Sequence, residues 1–413
     1  MRALLAGLAL FAGAAAGEPP PAAGPAAEGT ALVEALEAAP LALVGTIEGR
    51  SALDATGWRA DVAVEQVLVG SAGSATVVIA WEELAPSRPP RFGRGERVLL
   101  ALEPLAGGSL WRKRFPDPQQ LLAAHAVAQR GTAFLRRPSL GSVSILQHYL
   151  SLPAALRGSP AGQRHLLALA ADAERPLAVS AARRVSELRG DGALGAGDAG
   201  LVLRALARGA SDPELASALL IWIERRQPLG LAPALDAALA APGGAPATFV
   251  QARGLLGDGL PAERERALLA SPSPEQRAAA AGVAGPAQRD RLADLVRRDP
   301  APEVRTAALR RLARLDGPAS LETVLDAFDD RETSVRNAAA LQAAAFGPEV
   351  VPRLLDVAQQ RPWPASQAAV RALRTANVPE ARAALAQLAD EHPDQRVRAL
   401  ASVALGRALG HKD

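Results

Sequence analysis

The chain has 413 residues, and 46 basic residues against 43 acidic residues give it a net charge of only +3. All but two of the basic residues are arginine, and aromatic residues make up 3% of the chain. Such a chain lacks both a strong positive charge for phosphates and the aromatic platforms on which bases stack, so we expect no nucleic-acid partner. Because it has no cysteine, disulfides, cysteine nucleophiles and CxxC zinc sites are excluded.

The N-terminus has the layout of a secretory signal peptide. Met1 and Arg2 precede an apolar run from Ala3 to Ala16, and prolines follow from Pro19. The run is shorter than the roughly 20 apolar residues of a transmembrane helix, and the residues at the expected cleavage point are small. We predict a signal peptide at 1–17 and a Pro/Ala-rich linker at 18–29. The arginine-rich, alanine-rich composition is typical of a GC-rich bacterial genome. Because the signal is removed and there is no cysteine at the cleavage site to acylate, the mature protein is expected to be soluble and periplasmic or secreted.

The sequence of residues 30–115 predicts a small β-domain. Ala31–Ala39 predicts a short helix, and Gly70–Ser74 a hairpin turn. Alternating or continuous apolar patterns predict four strands, at Leu41–Glu48, Trp58–Val69, Ala75–Trp81 and Arg97–Glu103. The pattern favours a small all-β, OB-like barrel.

The order of these strands resembles the netrin-like module, an OB-type barrel shared with tissue inhibitors of metalloproteinases. The resemblance rests on Val44-Gly45, on Val64 to Gly70, and on Gly95 to Leu100. In the animal inhibitors an N-terminal cysteine ligates the protease zinc. This chain has no cysteine, so the resemblance implies the fold and not the inhibitory activity.

Residues 116–170 are predicted to form a helical bridge that caps the helical part that follows. Gln119–Arg130 and Val143–Leu156 have helical patterns. A stack of repeats exposes its core at the end unless it is capped. The apolar face of this cap is expected to consist of Leu146, Tyr149, Leu150 and Leu156.

A repeated phrase dominates the rest of the chain. Its copies are Val304–Ala308, Val335–Ala339, the degenerate Ala365–Ala369, and Val397–Ala401. The period is about 31 residues, which is typical of helical solenoids. Weaker copies lie upstream, at Leu177–Val185, Leu215–Leu219, Thr248–Gly257 and Gln276–Ala280.

Each copy predicts two helices. A turn, usually rich in proline, precedes the phrase, as in Asp299–Glu303, and proline fits the first turn of a helix, where its missing amide hydrogen has no partner anyway. An amphipathic stretch precedes each turn. We therefore predict an all-α solenoid, an α-α superhelix, over residues 171–413, in which alanine pairs let neighbouring helices approach closely.

Asp299–Ala313, Asp330–Ala344 and Val397–Gly406 resemble HEAT repeats of the short, phycobilisome-lyase-like subtype. The resemblance implies a buried ladder of aspartate and arginine between units, with the aspartate six residues before the arginine. Asp299 with Arg305 and Asp330 with Arg336 keep this spacing, whereas His392 stands in the aspartate position before Arg398. We interpret these arginines as structural.

The sequence offers no catalytic, cofactor-binding or metal-binding site. The neighbouring carboxylates Glu82-Glu83 and Asp329-Asp330 are interpreted as solvated surface. Gly190–Gly197 is interpreted as an inter-repeat loop, because no strand precedes it. The histidines are scattered, with no pair at metal-ligand spacing, at His125, His148, His165, His392 and His411.

Two tryptophans in the repeat region are candidate recognition residues. Trp222 and Trp363 are large side chains in an array built of alanine and leucine, and exposed tryptophan is a common binding anchor. Core filling is the preferred interpretation for Trp222. For Trp363 both interpretations stay open, and the binding residues remain unassigned.

The functional hypothesis is a non-enzymatic, exported scaffold or adaptor that binds a protein or peptide on the concave face of its solenoid. The alternative is a lyase-like HEAT enzyme, or an enzyme accessory, that acts on a tetrapyrrole or a protein substrate. Convergent polar residues in a pocket favour the enzyme, and an open groove favours the scaffold.

Overall fold

The computed structural model describes residues 32–82, 92–105, 110–116, 125–127, 133–188, 197–241 and 245–406. The chain forms two compact units, Met1–Pro242 and Gly243–Asp413. Unit 1 contains the strands and the helices up to Ala240, and unit 2 contains the helices from Ala247 onward. The predicted signal peptide and linker lie outside the described residues.

The strands of unit 1 form a closed barrel. They are β1 (Leu41–Ala52), β2 (Gly57–Val69), β3 (Thr76–Glu82), β4 (Arg97–Pro104), β5 (His125–Val127) and β6 (Phe134–Arg136). The sheet runs β1-β2-β3-β5-β4, and β4 pairs again with β1, which closes five strands into an OB-like barrel. β3 and β5 are parallel, while β6 pairs with β4 beside β5.

A glycine in β1 allows the close strand packing of the barrel. The pairing of β1 with β2 shifts register between Val44 and Gly45. A Cβ atom at Gly45 would lie 2.4 Å from the carbonyl oxygen of Ala63 on β2, well inside van der Waals contact. Only glycine tolerates this approach. The close approach at Gly45 lets β1 pair with β2 while it also pairs with β4.

The four predicted strands are confirmed as β1 to β4. The helix predicted at Gln119–Arg130 is wrong where the structure describes it, since His125–Val127 form β5. This short segment pairs with Ile79–Ala80 of β3 and with β4. It provides hydrogen-bond partners for backbone N–H and C=O groups at the edges of both strands. Phe134–Arg136 form β6, so the prediction of a helical bridge over 116–170 is wrong for these residues as well as for β5.

Short helices accompany the barrel, and longer ones follow it. In the described part of unit 1 they are α1 (Leu32–Ala38), α2 (Leu110–Arg114), α3 (Leu140–Ser151), α4 (Pro160–Asp172), α5 (Arg175–Glu187), α6 (Asp198–Gly209), α7 (Pro213–Arg226) and α8 (Leu231–Ala240). α4 packs on α5 and α6 on α7, and α5 also packs on α7. α1 confirms the predicted short helix.

α1 precedes the barrel in sequence but is anchored on the helices that follow the barrel. The Val33 amide donates to Ser180 Oγ of α5 at 2.8 Å. Arg184 of α5 donates two hydrogen bonds to the Glu37 carboxylate, at 3.1 and 2.7 Å, and the Tyr149 hydroxyl of α3 donates to the same group. A charge-assisted network of this kind fixes α1 in place.

α3 confirms the predicted helix that follows the barrel, and it packs against α4. Leu146, Tyr149 and Leu150 are buried as expected. Leu156 is wrongly placed in that apolar face, since it is 51% exposed. Pro153 cannot continue a helix, so α3 ends at Ser151 and Leu156 lies in a separate 3-10 turn.

Unit 2 is a helical solenoid. Its helices are α9 (Ala247–Leu255), α10 (Ala262–Leu269), α11 (Pro274–Val283), α12 (Arg289–Arg298), α13 (Pro302–Asp316), α14 (Leu321–Asp326), α15 (Thr333–Ala345), α16 (Val351–Gln360), α17 (Ala365–Ala376), α18 (Pro379–Glu391) and α19 (Gln395–Ala404). We call α10, α12, α14, α16 and α18 the first helices, and α11, α13, α15, α17 and α19 the second helices.

The repeated phrase lies on the second helices, which pack on each other in sequence order. Their alanine pairs are buried as predicted: Ala307, Ala308, Ala338 and Ala339 are at most 2% exposed. Small side chains at these contacts let the helices approach closely, as the repeat pattern requires. No helix in the described ranges has the length and apolarity needed to cross a membrane.

Candidate functional site

Two buried ion pairs join the turns of successive repeats in unit 2. Arg277 contacts both carboxylate oxygens of Asp299, at 2.8 and 2.9 Å. Arg305 contacts both oxygens of Asp330, at 2.7 and 2.8 Å. The Nη1 group of Arg305 also donates to the carbonyl oxygens of Asp299 and Pro300 in its own turn. Each arginine therefore ties its own turn to the next one.

These contacts confirm the ladder that the HEAT resemblance implied, and they add a rung. Arg277 was missed because Ser271, and not an aspartate, lies six residues before it. Burial by itself raises the pKa of Asp299, but the hydrogen bonds from Arg277 and from the Ala301 amide outweigh burial and hold it below its ordinary value. An ionised carboxylate held in this way is a structural partner and not a proton donor.

The ladder changes character after Asp330. Arg336 donates to the carbonyl oxygens of Asp330 and Arg331 and to Thr333 Oγ1, and no carboxylate of the described residues pairs with it. In the last repeat, His392 replaces the aspartate: its Nδ1 accepts from the Asp394 amide, so Nε2 donates to the Ala358 carbonyl, both at 3.0 Å. The histidine thus links two repeats without an ion pair.

The two tryptophans of the repeat region are not equivalent. Trp222 is fully buried in α7, which confirms core filling, although its indole Nε1 has no hydrogen-bond partner among the described residues. Trp363 is half-buried in the turn before α17, and the guanidinium of Arg396 lies 5.1 Å from its ring centroid. Trp363 therefore packs against the next repeat and offers only part of its ring to a partner.

A row of outward-facing side chains crosses the second helices. It consists of Arg310, Leu341, Arg371 and Val403, each five residues after the second position of the repeated phrase. Leu341 is 40% exposed and Val403 is 50% exposed, and both arginines are half-buried. We call these four positions the exposed row. Basic and apolar side chains alternate along it.

Three arginines in or beside the exposed row lack carboxylate partners among the described residues. Arg314, Arg371 and Arg374 form no ion pair with any carboxylate of the described residues. On the first helices, by contrast, Arg291 pairs with Asp294 and Arg353 pairs with Glu322 and Asp356. Arg266, Arg297 and Arg382 of the first helices, like the three arginines of the second helices, form no ion pair with a carboxylate of the described residues.

Acidic residues are unevenly distributed over the last helices of unit 2. α15, α17 and α19 together carry five arginines and no carboxylate, whereas α18 has three carboxylates and one arginine. On α13, burial and the charge of Arg314 lower the pKa values of both Arg310 and Arg311. Arg310 and Arg311 are therefore partly buried, and the charge of Arg314 acts on both of them.

Three of the four neighbouring carboxylates singled out in the sequence are described, and these three form ion pairs. Asp329 accepts from Arg361 at 3.0 Å, and Asp330 is a rung of the ladder. Glu82 accepts from Arg114 at 2.8 Å, and Glu83 lies outside the described residues. A cavity of about 340 Å³ beside the ladder is also lined by arginines and by ladder carboxylates. The interpretation of Asp330 as solvated surface is wrong, because its side chain is largely buried in the pair with Arg305, whereas Asp329 is exposed.

Two histidines that are 17 residues apart in sequence meet in space. The rings of His148 on α3 and His165 on α4 stack with centroids 6.0 Å apart. Burial, then the positive charges of His148 and Arg164, lower the pKa of His165. Across the described ranges, no three histidine, aspartate or glutamate side chains are grouped so that they could hold a metal ion. His411 lies outside those ranges.

Comparison with known proteins identifies the repeats. Residues 263–345 match the HEAT-repeat family, which confirms a HEAT-repeat region in the C-terminal part of the chain. No curated protein matches the chain. The crystal structure of the Escherichia coli protein YibA is similar over 62% of this chain and 98% of its own chain, with 17% identity and a TM-score of 0.32.

Proposed function

We propose that this chain, whose residues 263–345 are HEAT repeats, is an exported, non-enzymatic scaffold that binds a protein or peptide on the outward face of its second helices. One observation carries the proposal: the exposed row places the exposed side chains of Leu341 and Val403 on a face where Arg314, Arg371 and Arg374 form no ion pair with a carboxylate of the described residues. Arginine is enriched at protein interfaces, and the buried core of an interface is more apolar than the rest of the protein surface.

A crosslinking experiment in the source bacterium tests the scaffold. A photo-crosslinking amino acid is placed at Leu341, in the exposed row, or at Gln359, an exposed position on the first helix α16. We expect a discrete protein adduct from position 341 and none from position 359, with mass spectrometry identifying the partner. Adducts from position 359 alone, or from neither position, would contradict a partner on the second helices.

Export is supported by the signal-like layout of Met1 to Gly17. The mature chain is expected to begin at Gly17 or Glu18, after the small residues at the predicted cleavage point. Intact-mass measurement of protein recovered from the envelope fraction tests this expectation. Recovery of the chain from the cytoplasm with Met1 in place would overturn export and leave the scaffold proposal standing.

A further inference from the structure

We propose that a cleft in the last repeat of unit 2 binds the C-terminal carboxylate of a protein partner whose final residue is apolar. This inference rests on the scaffold function and names the group of the partner that the solenoid holds. The cleft has a volume of about 240 Å³ and lies where α17 and α19 end and α18 begins. Among the described residues, its lining combines three polar side chains with apolar ones.

The polar side chains of the cleft are hydrogen-bond donors. Arg374 comes from the last turn of α17, Asn377 from the turn that follows, and Arg382 from the start of α18, and all three are exposed. Arg382 Nη2 donates to Asn377 Oδ1 at 3.2 Å, so the side-chain amide nitrogen of Asn377 remains to donate to a ligand. Guanidinium groups bind carboxylates through paired N–H donors. The polar part of the cleft therefore suits a carboxylate.

Neither arginine of the cleft has a carboxylate partner among the described residues. The ion pairs of this region involve other arginines, and Arg382 contacts Asn377 instead. α17 and α19 contain no carboxylate. Glu380 is the only carboxylate near the start of α18, and it does not line the cleft. In the described part of the chain, the charge of Arg374 and Arg382 is thus left for an anionic ligand.

Earlier repeats neutralise arginines at the corresponding edge of the solenoid, where the first helices begin. Arg289, the first residue of α12, pairs at 2.5 Å with Asp316 at the end of α13. Arg353, near the start of α16, pairs at 3.0 Å with Glu322 near the start of α14. Near the start of α18, no described carboxylate plays this part for Arg382. A carboxylate from a partner would complete the pattern.

The apolar lining decides which carboxylate fits. Leu373 and Leu385 are buried beside the arginines, and Leu405 is half-buried. In a C-terminal residue, the carboxylate and the side chain are attached to the same Cα, so both can enter one small cleft. Its volume equals that of about eight water molecules, which suits one terminal residue and is below the size of cofactor pockets. A phosphate group has oxygens on all sides and would gain nothing from the apolar wall.

The test is a fluorescence anisotropy titration of the full chain with a labelled Gly/Ser peptide that ends in Leu with a free carboxylate. One comparison peptide ends in a C-terminal amide, and another ends in Ser with a free carboxylate. We expect saturable binding of the first peptide, binding about tenfold weaker for the amide, and binding about threefold weaker for the Ser peptide. Comparable binding of all three peptides, or no binding, would overturn the site.

Competition identifies the source of the carboxylate. An unlabelled copy of the Leu peptide should displace the label at concentrations about tenfold lower than 4-methylpentanoate does, because the peptide also contacts the cleft through its backbone. Equal potency of 4-methylpentanoate would identify a small carboxylate as the ligand. Displacement by inorganic phosphate at lower concentrations than by the peptide would identify a phosphate. Either result would overturn the C-terminus of a partner as the ligand.

Matched variants locate the site. Arg374→Gln and Arg382→Gln each remove one guanidinium from the cleft, and Arg266→Gln makes the same change at an exposed position on the first helix α10. We expect either cleft variant to weaken binding of the Leu peptide about tenfold and Arg266→Gln to leave it nearly unchanged. Equal losses in all three variants would mean non-specific attraction and would overturn the site. Circular dichroism confirms that the variants are folded.

A last comparison excludes the chain's own C-terminus as the occupant. Residues 407–413 follow the cleft directly in the sequence. Deleting them should leave the affinity for the Leu peptide unchanged, and a tenfold gain would mean that they compete for the cleft and would overturn a partner there. If no peptide binds but a crosslinker at position 341 still yields an adduct, the cleft proposal fails and the scaffold proposal stands. If the peptide binds but position 341 yields no adduct, the reverse holds.

Discussion

Arginine has two roles in unit 2, and its position in the repeat decides between them. Arg277 and Arg305 lie where the next turn presents an aspartate, and their side chains are buried. Arg371 lies on the side of its helix away from the ladder position, and its side chain is half-buried and partly exposed to solvent. The planar guanidinium suits the first role because it binds both carboxylate oxygens and still donates to backbone carbonyls.

Removing one partner of a ladder rung should be costly. In Asp330→Ala, the Arg305 side chain, which is 4% exposed, loses its counter-ion but stays buried. We expect a loss of about 3 kcal/mol in the free energy of unfolding, the lower end for breaking a buried pair, because the carbonyls of Asp299 and Pro300 still accept from Arg305. Urea denaturation followed by circular dichroism measures the loss.

Glu322→Ala is the control, since it breaks the surface pair with Arg353, whose side chains are 67% and 44% exposed. A loss below about 1 kcal/mol is expected there. Similar losses in the two variants would mean that the ladder adds no more stability than a surface ion pair does.

Glu34 of α1 makes stability depend on pH. Burial is the largest influence, and it raises the pKa of Glu34 above its ordinary value of 4.5 despite the hydrogen bond from Ser180. At pH values between the unfolded and the folded pKa, Glu34 keeps its proton in the folded state and has released it in the unfolded state. The contribution of Glu34 is complete below about pH 4.5 and is lost as pH rises through the folded pKa.

Glu34→Gln should therefore raise the melting temperature at pH 7.5, because it removes a buried charge, and the gain should vanish near pH 4. Thermal melts of the variant and the parent chain at both pH values measure this difference. Glu103→Gln, which changes an exposed carboxylate of β4, controls for the change in net charge. An equal gain at both pH values would show that protonation of Glu34 is not its cause.

At the scale of elements, the stacking of second helices depends on alanine at their contacts. Ala339 is fully buried on α15, which packs against α13 and α17. We expect Ala339→Arg to destabilise unit 2 by several kcal/mol, because a long charged side chain is forced into a close helix contact. Melting followed by circular dichroism at 222 nm measures the effect.

The same helix offers a matched control. Ala345 is exposed on α15, so Ala345→Arg adds the same charge without burying it. Its effect should stay within about 0.5 kcal/mol, as for most surface changes. If Ala345→Arg is the more damaging variant, the face assigned to helix packing is wrong.

At the scale of the whole molecule, the solenoid architecture predicts that the last repeat can be deleted without unfolding the others. Each repeat contacts only its neighbours, so its stability is roughly a sum of local contributions. Deleting Val378–Asp413 removes α18 and α19 together with their contacts to α16 and α17. The shortened chain should stay folded, with helical content reduced in proportion to the residues removed. Complete loss of helical signal would contradict a stack with local contacts.

The sequence alone determined the elements whose patterns are local and repeated. The strands β1 to β4 and the second helices were predicted because their apolar periodicity and proline-rich turns lie within a dozen residues of each element. The 31-residue period predicted a helical solenoid. The resemblance of 299–313 and 330–344 to HEAT repeats agrees with the family match over 263–345. These features need no knowledge of distant contacts.

Only the tertiary structure decided the features that depend on distant partners. His125–Val127 are too short to carry a strand pattern, and they become a strand because β3 and β4 offer them unpaired edges. Arg277 was identified as a rung only by its contact with Asp299, 22 residues away. The exposed row could not be predicted from the sequence either. Whether Arg371 forms an ion pair or is exposed to solvent depends on which side chains the neighbouring helices place beside it. Local patterns specify elements, whereas pairing and exposure are set by the packing of those elements against one another.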